Sequence, residues 1–151
     1  MNHRRSSIGL AVAGAMLAVA SLAGPVSANH FTTFSTSLTG AEEAPGPGDP
    51  NGKGFITLDV YNTGTICYTA KVQGIAPVTI AHIHEAPAGS PGPVVVDLRP
   101  DLAERTGNKW SYCVSTTPEQ AAEIIANPDD YYVNVHNADY PGGAVRGQLG
   151  D

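Results

Sequence analysis

Alternation of apolar and polar residues, interrupted repeatedly by glycine and proline, is the feature that most limits what this chain can fold into. In the stretch from Phe55 to Tyr61, Ile56, Leu58 and Val60 share one face, and from Thr65 to Val72 the shared set is Ile66, Tyr68, Ala70 and Val72. Trp110, Tyr112 and Val114 repeat the pattern, as do Phe34, Thr36 and Leu38. A period of two is that of a β-strand with one face against a core. The same period in Thr79 to His84 puts Ile80, His82 and His84 on one side and Thr79, Ala81 and Ile83 on the other. From Tyr131 to Asn137 it separates Tyr131, Val133 and Val135 from Tyr132, Asn134 and His136. Val94 to Leu98 and Ala144 to Leu149 read as two further strands.

Between these strands, Gly40 to Gly52, Gly74 to Pro77, Pro87 to Pro93 and Ala138 to Gly143 carry too much glycine and proline for a regular element. Asn62-Thr63-Gly64 reads as a hairpin turn. Arg99 to Lys109 reads as a charged loop. One helix is signalled: Thr117 supplies a hydroxyl N-cap, Pro118 suits the first helical position, and Gln120 completes the pattern of a capping box. Ala121, Ile124 and Ile125 share its apolar face, and Asn127-Pro128 ends it. Roughly eight short strands and one short helix make a β-sandwich with a helical crossover.

The chain opens with Met1-Asn2-His3-Arg4-Arg5, an apolar run from Ile8 to Leu22, and Val26-Ser27-Ala28. This is the order of a signal peptide over residues 1–28, with the run short of the ~20 residues a spanning helix needs. The expected mature chain, residues 29–151, is exported to the extracellular space or periplasm, has no transmembrane segment, and forms one domain. Losing Arg4 and Arg5 lowers the basic count from 8 to 6 against 14 acidic side chains, for a net charge of −8. With no Lys/Arg cluster to neutralise phosphates, nucleic acid is not an expected partner.

Two cysteines in an exported chain favour a disulfide, with two free thiols as the alternative. Cys67 lies on the Thr69/Lys71 face of its strand and Cys113 on the Ser111/Ser115 face. A bond between them is easiest if the two strands are neighbours in one sheet, and it would contribute roughly 2–4 kcal/mol, mainly by restricting the unfolded chain.

Four histidines survive the expected cleavage: His30, His82, His84 and His136. His82 and His84, two apart on a strand, aim both rings to one side with Cα atoms about 7 Å apart, which suits a single metal ion. A third imidazole from His136 would make a useful copper or zinc site. The competing expectation is that these rings anchor the Gly/Pro loops by hydrogen bonds to backbone groups. Glu85, Asp139 and Arg146 are candidates for support around the site. Arg146 is expected in an ion pair with a carboxylate such as Glu85 or Asp139, and Asp139 to Gly143 in a tight turn. Glu42-Glu43 and Asp129-Asp130 read as solvated loop carboxylates. No Gly-x-Ser-x-Gly elbow occurs, so acyl transfer has no support.

AHIH followed by a Gly/Pro loop, the segment YYVNVHNADYPGGAVRGQL, and GTICYTAKVQGI from Gly64 to Ile75 together resemble the chordin-domain (CHRD) family of secreted proteins, from about Phe31 to Leu149. The resemblance implies an all-β, immunoglobulin-like or superoxide-dismutase-like Greek-key sandwich with one short helix. It brings no catalytic residues with it. Copper–zinc dismutase chemistry needs at least six imidazoles, more than this chain offers. The expected function is a secreted, non-catalytic module that binds an extracellular protein or surface ligand; the alternative is a copper- or zinc-binding protein using His82, His84 and His136.

Overall fold

Each alternating stretch forms a strand, because only that conformation sends its apolar set to one side and its polar set to the other. The computed structural model describes residues 29–101 and 103–151; the signal-peptide expectation for 1–28 lies outside them. The strands are β1 (Phe31–Thr39), β2 (Lys53–Tyr61), β3 (Thr65–Gln73), β4 (Val78–Glu85), β5 (Val94–Asp97), β6 (Glu104–Thr106), β7 (Lys109–Ser115), β8 (Tyr131–Asn137) and β9 (Val145–Gln148), with helix α1 over Pro118–Ala126. All pair antiparallel in the order β5-β4-β8-β9-β1-β2-β3-β7-β6.

The sheet curls into two facing halves joined where Thr39 of β1 pairs with Arg146 of β9. Leu38, Ile56, Leu58, Val60, Ile66 and Ala70 from one half and Ala81, Ile83, Val96, Val133 and Val135 from the other belong to a single buried cluster. Tyr68 of β3 crosses that interior and donates its hydroxyl to the Leu98 carbonyl beyond β5, at 2.7 Å. The all-β sandwich expected from the pattern is the fold observed.

Cys67 and Cys113 sit directly opposite each other in the β3–β7 ladder and are bonded, with Cα atoms 4.0 Å apart. Gly64 turns β2 into β3 at φ +90°, where a side chain would strike the Thr116 carbonyl. Past β7 and Thr116 the chain enters α1, where Thr117 Oγ1 accepts from the Gln120 backbone N–H at 3.1 Å. The Gln120 side-chain NH₂ donates to the Tyr131 hydroxyl at 3.3 Å, tying the first turn of the helix to β8. Ala121 and Ile124 are fully buried against the core.

The charged loop expected from Arg99 to Lys109 is not loop throughout. Glu104–Thr106 hydrogen-bonds along β7 as an edge strand, although all three of its residues are exposed. A strand with neither face in the core leaves no alternation in its sequence. Among the described residues no helix is long and apolar enough to cross a membrane.

Candidate functional site

Strands β8 and β9 are buried on both faces, and their second face, continued by His82 and His84 of β4, is polar. Their registers pair His82 with Asn134, His84 with Tyr132, Asn134 with Arg146 and Tyr132 with Gln148. Residues paired across a sheet point to the same side. His82 and His84 therefore share a surface with Tyr132, Asn134 and His136, and with Arg146 and Gln148, opposite the hydrophobic core. All seven residues of β8 are buried.

The loop over residues 86–93 covers one part of this surface. Arg146, 1% exposed, donates to the Ser90 carbonyl at 2.8 Å and the Pro87 carbonyl at 3.0 Å. Its guanidinium lies 3.4 Å from the ring centroid of Tyr132, whose ring also stacks on His84 with centroids 4.8 Å apart and planes 9° from parallel. Gln148 donates to the carbonyls of Ala86 at 2.9 Å and Asp129 at 2.6 Å. The expected ion pair of Arg146 with Glu85 or Asp139 does not form. Glu85 and Asp139 are both exposed, and Arg146 points into the loop carbonyls instead.

Three imidazoles converge here. His82, His84 and His136 each offer a ring nitrogen, and these lie within 4.8 Å of one another. His84 Nδ1 is 2.9 Å from the Gly92 carbonyl, and His136 Nδ1 is 3.0 Å from the Pro141 carbonyl. A carbonyl only accepts, so both Nδ1 atoms carry the proton and both Nε2 atoms keep a lone pair. The loop-anchoring expectation is met by the Nδ1 atoms, while the Nε2 atoms remain for other work. His84 Nε2 is buried without a hydrogen-bond partner. His136 Nε2 lies 3.2 Å from His82 Nδ1. Burial holds both His82 and His136 below the ordinary imidazole pKa, with the neighbouring rings adding to the effect. Neutral rings are what a metal ion requires.

Neither Glu85 nor Asp139 joins the three-histidine group. The Asp139 segment is the expected turn: Asn137 Oδ1 accepts from the backbone N–H of Asp139 and Tyr140 at 3.0 and 2.8 Å, and Gly143 N–H closes on the Tyr140 carbonyl at 3.2 Å. Gly143 has φ +140°, and a side chain there would collide with the carboxylate of Glu43.

Glu43 is the functional-site residue that adjacency with Glu42 concealed. Glu42 is exposed, but Glu43 is buried, so the solvated reading holds for one carboxylate and fails for the other. Glu42 ends a 3₁₀ turn over Gly40–Glu42 and Glu43 resumes extended backbone, and the second carboxylate turns inward, where it feels the charge of Arg146. Burial pushes its pKa up to about 7, against the lowering effect of Arg146 and of a hydrogen bond with Asn134.

The sequence model of the CHRD domain matches residues 34–149. No curated protein and no solved structure matches the chain.

Proposed function

We propose that this chain, which belongs to the CHRD-domain family, is an exported binding module whose β4–β8 face holds one copper or zinc ion through His82, His84 and His136. The observation that carries this reading is the buried, unpartnered Nε2 of His84, aimed at two other imidazoles by a carbonyl bonded to its Nδ1. A buried polar atom without a partner costs about 1–3 kcal/mol, and a metal–nitrogen bond of about 2.0–2.1 Å would satisfy it. Carbonyls that hold the second ring nitrogen are the usual outer support of a metal-binding histidine, because they fix the tautomer and the ring angle.

Export through a signal peptide over residues 1–28 is part of the same proposal. The Cys67–Cys113 bond supports it, since disulfides persist in oxidising compartments. The activity proposed is binding. Recognition of an extracellular protein or surface ligand by the module as a whole is compatible with the ion and draws its support from the family alone.

Metal content of the purified protein, followed by titration of the stripped protein with zinc and copper, tests the site. One ion per chain is expected, with affinity reduced well over tenfold in both His84→Ala and His136→Ala while circular dichroism stays that of the wild type. Equal affinity in wild type and either variant would overturn it.

A further inference from the structure

The three imidazoles do not complete the cluster. His136 Nε2 also lies 3.0 Å from Asn134 Oδ1. Two observations fix the chemistry of that contact. His136 Nδ1 must hold the ring proton, because it faces the Pro141 carbonyl, so Nε2 is an acceptor in the neutral ring. Asn134 turns its Oδ1, which only accepts, toward that nitrogen. Two lone-pair atoms thus face each other at hydrogen-bonding distance with no proton between them. Doubly protonating His136 would supply one, but the ring is buried beside two other imidazoles.

A cation resolves the contact. Two ligand atoms held on one ion at about 2.0–2.2 Å lie about 2.8–3.6 Å apart when the angle between them is 90–110°. The Asn134 Oδ1 to His136 Nε2 distance of 3.0 Å and the His82 Nδ1 to His136 Nε2 distance of 3.2 Å both fall in that window. The geometry points to Asn134 as a fourth ligand, giving a three-nitrogen, one-oxygen site. This inference rests on the three-histidine site proposed above and adds a fourth ligand to it.

Neutral imidazoles with one amide oxygen leave the full charge of a divalent ion on the centre, where thiolate sites would neutralise it. Such a donor set takes a borderline cation, zinc or copper(II), and cobalt(II) as a spectroscopic substitute for zinc.

Cobalt(II) titration of the wild type, His84→Ala and Asn134→Leu separates the two levels of the proposal. Expected is one cobalt per wild-type chain, binding lost in His84→Ala, and in Asn134→Leu a retained 1:1 stoichiometry with affinity about tenfold or more weaker and altered visible d–d bands. In parallel, zinc added to ¹⁵N-labelled wild type should shift the Asn134 side-chain NH₂ resonances, a readout that needs no variant to fold. Asn134→Leu binding with unchanged affinity and spectrum, together with a stationary Asn134 amide, would remove Asn134 from the ligand set and leave the histidines standing. Wild type and His84→Ala binding alike would remove both.

Discussion

Replacing Arg146 with lysine keeps the charge and removes the geometry, so it measures what the guanidinium contributes to the covered face. Arg146 reaches two loop carbonyls, Ser90 at 2.8 Å and Pro87 at 3.0 Å, while lying flat on Tyr132 at 3.4 Å. A lysine ammonium is a point donor that reaches one of those carbonyls at best. The lost charge-assisted hydrogen bond is worth about 1.5–3 kcal/mol, and the lost stacking about 1–2 kcal/mol. Both side chains bear the same charge in the same buried place, so the desolvation cost largely cancels. The expected destabilisation of Arg146→Lys is therefore about 2.5–5 kcal/mol, or upwards of about 10 °C in Tm for a domain of this size. Urea unfolding should show a lower midpoint at unchanged m-value. The loop Arg146 tethers also carries the Gly92 carbonyl that orients His84, so amide exchange over residues 86–93 should quicken and zinc affinity fall. A midpoint shift worth less than about 0.5 kcal/mol, with loop protection intact, would refute the view that this guanidinium holds the loop down.

Further outcomes are expected. Non-reducing mass analysis should find two hydrogens missing from the free-thiol mass, and the Cys67→Ser/Cys113→Ser pair should lose about 2–4 kcal/mol of stability, since the bond closes a separation of 46 residues. Glu43 has its folded pKa raised from 4.5 to about 7, so its favourable contribution is complete below pH 4.5 and disappears as pH rises through about 7. Glu43→Gln should accordingly gain on the wild type between pH 5 and pH 8, by about 1–2 kcal/mol once solvent screening is allowed for, and parallel stability–pH curves would count against the burial argument. His82 and His136 act in the opposite direction. Their lowered pKa values keep the rings neutral, and the stability tied to that neutrality is lost as pH falls below 6.5 through the folded values, which refolding the metal-free protein from pH 7 to pH 5 would register as a falling unfolding midpoint. Intact-mass measurement of exported protein should give a chain beginning at Asn29; a mass that retains residues 1–28 would remove the signal-peptide proposal.

The sequence by itself determined the features that depend on neighbours along the chain. Alternation assigns faces, and so Ile66, Tyr68, Ala70 and Val72 turn inward while Cys67 turns out, as observed. Thr117 and Pro118 start the helix because a cap is satisfied within one turn. The same period correctly grouped His82 with His84, and Tyr132 with Asn134 and His136. It could not say how far apart the two groups lie, because that depends on the register between β4 and β8, which are separated by roughly half a hundred residues and by a bulge between Val78 and Ala81. Nor does a period reveal what covers a face. The polar side of β8 reads like a solvated surface, yet the loop over residues 86–93 and the segment bearing Glu43 close over it. Arg146 finds its partners in backbone carbonyls, which have no residue-specific signature, and Asn134 meets His136 only because both are turned to the same buried face. Faces follow from local geometry. Burial of a polar side chain, and therefore its pKa, its partners and its capacity to bind an ion, follows from contacts between segments far apart in the chain, and only the folded structure brings those segments together.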